Sequence, residues 1–222
     1  MKTYILTLAF GLILSMAHAQ QADNEVRTIF GSKQDRSNGG YGAIMVNYSE
    51  IMNRDAIVVG GRGAWVVDHN FGLGLGGYGF MTDPQMDDVK GEEYQINGGY
   101  GGLILEPIVG AKKPVHLSFP ILIGAGGVAY NKHWQEYEPD YEYDYETYED
   151  SDAFFVVEPG VEVEFNMLKF FRLGLSVSYR YTSDISLSYK DDTIGAPTPN
   201  VIGSPDMLRG FNYGIVMKFG KF

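Results

Sequence analysis

The sequence predicts an all-β protein, an eight-stranded antiparallel up-and-down transmembrane β-barrel. Apolar and polar residues alternate through eight segments, which is the pattern of strands whose two faces meet different surroundings. The links between these segments are mostly long and short in turn, as they are in transmembrane barrels. Aromatic residues on the apolar faces also fall into two bands, one toward each end of the strands.

The chain begins with a segment typical of a secretory signal peptide. Lys2 provides a positive start, Tyr4–Met16 is apolar, and Ala17-His18-Ala19 is a small-x-small cleavage site. An apolar run of this length is too short to cross a hydrocarbon core about 30 Å thick as a helix. We therefore predict a signal peptide at 1–19, a polar periplasmic segment at 20–38 and a barrel at 39–222.

Composition excludes several classes of protein. The sequence contains no cysteine, so it can form neither a disulfide framework nor a thiolate metal site. Its 29 Gly, 16 Tyr and 13 Phe favour β-structure with crowded backbone positions. The formal net charge of −11 argues against nucleic acid as a partner.

Period-2 alternation predicts the strands, and no amphipathic helix of useful length is indicated. The predicted strands are 40–51, 56–68, 71–81, 93–106, 114–130, 153–166, 171–188 and 209–221. Long polar links at 82–92, 131–152 and 189–208 lie at one end of the sheet. The link 52–55 lies at the same end, although it is unusually short. Tight turns and both termini lie at the other end, which is the periplasmic end in transmembrane barrels.

The stretch VEPGVEVEF (157–165) raises the question of which face points inward. Glu158, Glu162 and Glu164 share one face with glycine, whereas Val, Pro and Phe occupy the other. An eight-stranded barrel is only just wide enough for ordinary side chains, so the bulky apolar face does not fit inside. A soluble two-sheet sandwich could hold it, but its outer face should then carry more Lys and Thr. We predict that the charged face points inward and the apolar face points to lipid.

Aromatic spacing supports the same assignment. Phe155 and Phe165 are ten residues apart on one predicted strand. This separation corresponds to about 33 Å along the strand, or about 25 Å of height at a tilt of about 40°. Transmembrane barrels have an apolar band of that height between two aromatic girdles.

Nearly all of the mature chain resembles the small eight-stranded outer-membrane β-barrels of Gram-negative bacteria, of the OmpA/OmpX-like type. The resemblance rests on the signal peptide, the strand count, the aromatic bands and the last strand, FNYGIVMKFGKF, which ends in Phe222 out of phase with the lipid face. It implies location in the outer membrane, contact with outer-membrane lipid, and recognition of the last strand by the barrel-assembly machinery. Because this family includes tethers, adhesins, lipid-modifying enzymes and proteases, the resemblance implies no single activity.

Charged residues on the predicted inward face form the main candidate site. Unpaired charges inside a narrow barrel would be costly, so we expect these residues to pair and close the lumen. The alternative is an ion path, which eight strands disfavour because the barrel is narrow. The predicted lumen charge network comprises Arg62, Glu158, Glu162, Glu164, Arg172, Arg180 and Lys218.

Three other motifs suggest chemistry. The stretch GLGLGGYG (72–79) has the glycine spacing of a dinucleotide-binding loop, but no helix is predicted after it. His116-Leu117-Ser118 is similar to the His-x-Ser pair of outer-membrane lipid A deacylases, so a lipid-modifying enzyme is the alternative function. His133 resembles the rim histidine of omptin-type proteases, which have a wider barrel. We predict lumen packing for the pair and a solvated loop for His133, and therefore no catalytic residue.

The acidic stretch EYEPDYEYDYETYEDSD (136–152) is the candidate for a metal site. A run of like charges predicts a solvated loop first, and weak Ca²⁺ binding in the millimolar range second. The spacing does not match an EF-hand loop. We predict no cofactor and a monomer of structural or surface-interaction type, whose long extracellular loops carry its binding.

Overall fold

The structure is a computed structural model that describes residues 38–133, 148–190 and 200–222. The predicted signal peptide lies outside the described residues, as do residues 20–37 and the part of the acidic stretch up to residue 147. No helix among the described residues could serve as a membrane span.

The described residues form ten strands, all paired in antiparallel fashion. The strands are β1 (Asn38–Ile51), β2 (Arg54–Val67), β3 (Phe71–Thr82), β4 (Gln85–Asp87), β5 (Glu92–Val109), β6 (Val115–Ser118), β7 (Ile121–Lys132), β8 (Tyr148–Leu168), β9 (Phe171–Thr182) and β10 (Gly210–Lys221).

Strand pairing closes a ring with eight positions. The order is β1, β2, β3, β5, β6 with β7, β8, β9 and β10, and β10 pairs back with β1. Strands β6 and β7 share one position because both lie between β5 and β8. The short β4 pairs only with the start of β5. The predicted eight-stranded antiparallel barrel is confirmed.

The prediction of one strand at 114–130 was wrong in one detail, since Phe119 and Pro120 interrupt it. Proline has no N–H to give to the ladder. The ring stays connected across the break because Phe119 N donates to Pro107 O (2.9 Å) and Gly160 N donates to Pro120 O (2.8 Å).

The predicted strand 171–188 also ends early, at Thr182. Ile185 and Leu187 continue the odd-numbered phase of the exposed Tyr179 and Tyr181, yet both are buried. The chain therefore rotates its apolar residues away from lipid and into the barrel mouth. Alternation persists through this stretch, so a pattern with period 2 could not show the change of direction.

The outer face of the ring is apolar and the inner face is charged, which is the reverse of a soluble protein. Large apolar side chains are exposed outside, with Leu75 67% and Phe155 76% accessible. Charged side chains are buried inside, with Glu164 and Arg180 both 0% accessible. Soluble proteins almost never bury charge while exposing a continuous apolar face, so the outer face is suited to hydrocarbon.

Aromatic side chains lie on the outer face near both ends of the strands. Near the tight turns, Phe171 and Phe219 stack across β9 and β10 with their ring centroids 4.9 Å apart. Near the long loops, Tyr179 and Phe211 meet edge to face at 5.0 Å. These pairs lie at opposite ends of the same two strands, as girdles at the two interfaces of a bilayer do.

The glycines of the stretch 72–79 lie within β3, and no helix follows. A Cβ atom at Gly74 would collide with the backbone of Gly63 and Ala64 on β2, and one at Gly76 would collide with Ile104 and Arg62 inside the barrel. These glycines allow neighbouring strands and inward side chains to approach closely in a narrow ring. This role explains the glycine spacing without a bound nucleotide.

Candidate functional site

The ammonium group of Lys218 lies at the centre of a buried cluster of carboxylates. It contacts Glu106 and Glu164 and is 2.9 Å from the nearest oxygen of Glu162. Strands β10, β5 and β8 bring these residues together through the inward phase of each strand. We call Lys218, the three glutamates, Arg62, Arg172, His116 and Tyr41 the ionic cluster.

Arg62 provides the second cation of the ionic cluster, from β2. Its Nη2 atom is 2.6 Å from Glu162 and 3.6 Å from Glu106. Its Nε donates to the Tyr41 hydroxyl at 3.0 Å, and that hydroxyl in turn donates to Glu106. One guanidinium thus connects carboxylates from β5 and β8 across the lumen.

Arg172 provides the third cation, nearest the tight turns. Its Nη1 is 3.4 Å from Glu164, and its guanidinium lies 3.8 Å above the Phe222 ring. His116 Nε2 is 3.0 Å from the same carboxylate. Apart from His116, the ionic cluster holds three cations against three carboxylates. Such balance is what makes buried charge tolerable.

The three glutamates are also the one described set of carboxylates close enough to hold a metal ion. One oxygen from each of Glu106, Glu162 and Glu164 lies within 4.8 Å of the others. Lys218 donates to Glu106 and Glu164 and forms an ion pair with Glu162, so its ammonium occupies the position that a hard cation would take.

Glu158 and Arg180 are buried in the lumen, but they do not join the ionic cluster. Glu158 accepts hydrogen bonds from Tyr100 (2.5 Å), Ser178 (2.5 Å) and Asn212 (2.9 Å). Arg180 donates through Nε to Leu208 O at 2.7 Å. The structure therefore unites five of the seven predicted lumen charges and places the other two in separate hydrogen-bonded positions.

Sequence reasoning missed Glu106, which is 0% accessible and contacts Lys218 and Arg62. The predicted strand ends at 106, whereas β5 continues to Val109. The alternation of Ile104, Glu106 and Ile108 carries the signal, because it puts a lone acid in the inward phase of an otherwise apolar stretch.

A small cavity with a mixed polar and apolar lining lies beside the ionic cluster and Glu158. Its volume is about 20 Å³, and its lining includes Asn47, Arg62, Glu162 and Ser176. One water molecule needs about 10–15 Å³ by this measure, so the cavity has room for little more than one water.

The segments 183–190 and 200–209, which we call the loop cap, fill the opposite end of the barrel. Their apolar side chains are buried against the inner wall, in one cluster with residues of the strands. The buried side chains of the loop cap are Ile185, Leu187, Ile202, Met207 and Leu208.

Carboxylates of β8 hold the loop cap through its backbone. Ser186 N donates to Asp152 (2.8 Å), and Ser188 N donates to Asp150 (2.7 Å). Glu149 accepts from the backbone N–H of residue 190 (2.7 Å). Three acids of the stretch 136–152, the candidate for Ca²⁺ binding, therefore bind the protein backbone, and the rest of that stretch, 136–147, lies outside the described residues.

Asp87 on β4 connects the barrel wall with the loop cap. It accepts hydrogen bonds from the hydroxyls of Tyr130 (2.7 Å) and Tyr189 (2.9 Å). Burial acts to raise the pKa of Asp87, but these bonds and those from the backbone of Lys90 and Val89 outweigh it. The pKa of this carboxyl therefore lies below its ordinary value.

The three histidine and serine candidates also have packing partners. His116 and Ser118 are buried, and the Ser118 hydroxyl donates to Glu162 at 3.1 Å. His133 is partly buried, with Nδ1 3.3 Å from the side-chain oxygen of Gln95.

No protein-family model matches the sequence, and no curated protein matches it. Solved structures do match its fold. Neisserial surface protein A (NspA) superposes with a TM-score of 0.51 at 7% identity, over 85% of this chain and 100% of NspA. This chain has the fold of the small outer-membrane β-barrels.

Two further outer-membrane barrels match less well. The N-terminal β-barrel domain of Pseudomonas aeruginosa OprF gives a TM-score of 0.43 at 10% identity, over 84% of this chain and 99% of that domain. Ail, the attachment invasion locus protein of Yersinia pestis, gives a TM-score of 0.41 at 11% identity, over 82% of this chain and 97% of Ail. The fold and the apolar outer face together place this small barrel in the outer membrane.

Proposed function

We propose that this small outer-membrane barrel is a closed protein of structural or surface-interaction type, whose long extracellular loops carry its binding. The observation that supports the proposal is the packing of side chains inside the barrel at two levels. The ionic cluster fills the half near the tight turns, and the loop cap fills the half near the long loops.

The energy of the ionic cluster argues against an open channel. A path through it requires Lys218 or Arg62 to leave buried carboxylates. Removing one partner from a buried ion pair costs about 3–5 kcal/mol. An open state at that cost is populated on the order of one molecule in a hundred to one in several thousand. Conduction is therefore not the favoured function.

The geometry around His116 and Ser118 argues against the lipid A deacylase-like alternative. A serine nucleophile needs its hydroxyl directed to a base and its oxygen accessible to substrate. Here the Ser118 hydroxyl donates to Glu162, and both side chains are turned to the lumen, away from lipid. Their arrangement supports packing in the ionic cluster.

The long-loop end has the charge of an interaction surface. Among the described residues, the exposed charged residues there are acidic: Glu50, Asp55, Asp83, Asp88, Glu92, Asp184 and Asp206. Charge complementarity favours a basic partner at this surface.

Closure of β10 onto β1 leaves the ring without an edge strand, which supports a monomer.

Planar-bilayer recording tests the closed lumen. Purified protein with heat-modifiable gel mobility should insert without adding steady conductance in 1 M KCl. A wide porin recorded under the same conditions serves as the sensitivity control, because its lumen is an aqueous channel. Steady conductance of the wild-type protein at a constant applied potential would contradict the proposal.

Mass spectrometry of lipid A tests the enzymatic alternative. Lipid A from cells that express the wild type should keep all its acyl chains, as should lipid A from cells with the Ser118→Ala variant. Loss of an acyl chain with the wild type, but not with Ser118→Ala, would establish the enzyme instead.

A further inference from the structure

The two ends of the barrel carry opposite exposed charge. In contrast to the acidic long-loop end, four exposed lysines lie at the tight-turn end, where Asp68 is the one exposed acid among the residues that the structure describes. The lysines are Lys112, Lys113, Lys169 and Lys221, which we call the basic rim. Within the described residues, none of these four makes an ion pair, whereas Lys90 and Lys132 at the opposite end each bind a glutamate.

Backbone and side-chain hydrogen bonds join the basic rim into one continuous surface. Asn166 Nδ2 donates to Lys113 O at 2.6 Å, which ties the turn after β8 to the turn after β5. Gly220 N donates to Phe170 O at 2.9 Å, which ties the same turn to the end of β10. The lysines therefore lie along a single arc formed by two turns and the end of β10.

An exposed apolar turn lies within the basic rim. Met167, Leu168 and Phe170 are 55–58% accessible although they lie at the end of the barrel. This turn continues directly into the aromatic girdle, because Phe171 stacks on Phe219 at 4.9 Å. This end of the barrel therefore presents an apolar surface next to the hydrocarbon band and lysine ammonium groups beyond it.

We propose that the basic rim binds the phosphate headgroups of anionic phospholipid in the adjacent leaflet of the membrane. Lysine stems can lie along apolar surface while their ammonium groups reach the headgroups. The apolar turn stands against a soluble polyanion as the occupant, because it presents hydrocarbon contacts that only a lipid satisfies. Each lysine within reach favours an anionic over a zwitterionic lipid about fivefold at low salt.

Trp65 provides a reporter beside the basic rim. It pairs with Gly40 across β2 and β1, and Gly40 pairs with Lys221 across β1 and β10. Two ladder steps place Trp65 about 10 Å from Lys221 on the outer face. The sequence has two tryptophans, so Trp134→Phe leaves Trp65 as the sole fluorophore.

The experiment measures quenching of Trp65 in vesicles that contain brominated phosphatidylglycerol or brominated phosphatidylcholine. We expect a several-fold preference for phosphatidylglycerol, which falls close to one in Lys169→Gln/Lys221→Gln. The matched control, Lys90→Gln/Lys132→Gln, removes two lysines from the other end and should keep the preference. Heat-modifiable gel mobility establishes that each variant is folded.

Salt and competitor arms separate headgroups from other anions. At 1 M NaCl the Debye length is about 3 Å, so the preference should be lost. Exchange of chloride for inorganic phosphate at equal ionic strength should leave it unchanged. A wild-type ratio near one, equal loss in the Lys90/Lys132 control, or loss in phosphate alone would overturn the proposal. So would co-sedimentation of the wild type with peptidoglycan together with a lipid ratio of one.

Discussion

Lys218 and Arg172 are direct partners across the ladder between β10 and β9, although both carry positive charge. Like charges opposite each other destabilise a sheet unless something intervenes. Glu164 contacts both, which turns an unfavourable pair into part of the ionic cluster. This carboxylate is therefore the most consequential single acid in the lumen.

Glu164→Gln should lower the stability of the barrel by about 3–5 kcal/mol, because it leaves two buried cations without their shared anion. The exposed Glu50, replaced in the same way, should change stability by less than about 0.5 kcal/mol. Urea unfolding in detergent micelles measures both. Equal midpoints for the two variants would show that Glu164 is not a structural anion.

Lys218→Met should create a cation site from the three glutamates that Lys218 now neutralises. If Ca²⁺ binds this variant with a constant on the order of 1 mM, refolding in about 10 mM CaCl₂ adds about 1.4 kcal/mol of stability. Wild type should gain nothing at this site. Adding Glu106→Gln to the variant should abolish the gain, and a gain that survives this second change would place the cation elsewhere.

Leu187→Ala should loosen the loop cap, since deletion of a buried leucine side chain costs about 2–5 kcal/mol. We expect external protease to cleave residues 183–190 faster in this variant than in wild type. Val201→Ala is the control, because Val201 is 44% accessible. Unchanged cleavage in Leu187→Ala would mean that the apolar residues do not hold the segment.

Acid should release the loop cap through Asp87. The folded pKa of Asp87 lies below the ordinary value of 3.8, so its stabilising effect is present above that pH. The effect is lost as the pH falls through the lower folded pKa. Hydrogen exchange of amides 186–190, corrected for intrinsic rates, should accelerate in that window.

Asp87→Asn should lose about 1.5–3 kcal/mol of cap stability already at neutral pH, the typical value of hydrogen bonds to a charged group. Its exchange should then depend less on acid than that of the wild type. Asp88→Asn, at an exposed neighbour, should behave as wild type. If the acid profile of Asp87→Asn matches that of wild type, another carboxyl controls the release.

Single cysteines should report the orientation of the barrel, because the sequence contains none of its own. A cysteine in place of Asp88, on the long-loop side, should react with a membrane-impermeant maleimide on intact cells. A cysteine in place of Lys169, at the opposite end, should react only after permeabilisation. Labelling at 169 in intact cells would reverse the topology.

Sequence alone predicted the ring because its signal is local. Each strand meets hydrocarbon on one side and the lumen on the other, so residues such as Glu162 and Val163 differ in kind at adjacent positions. Strand count, loop asymmetry and the outer aromatic residues follow from such local contrasts.

The loop cap and the partners of the ionic cluster could not be predicted in this way. Ile185 and Leu187 keep the alternation of a strand, and only their packing in the buried cluster inside the barrel shows that they turn inward. The pairing of Lys218 with Glu106 joins residues 112 positions apart. Periodicity places side chains on a face, but it does not state which of them meet across the lumen.

The pairing of β1 with β10 has a consequence for how the barrel forms. This seam joins the strands that are farthest apart in the described chain, so its loop-closure entropy is large and its formation is expected to be slow. Arg62 on β2 and Lys218 on β10 share Glu162 only once the seam is made. An unclosed sheet in lipid would leave these charges and the backbone of two strand edges without partners. Closure is therefore a cooperative step, because a sheet in which β1 and β10 are only partly paired gains little stability.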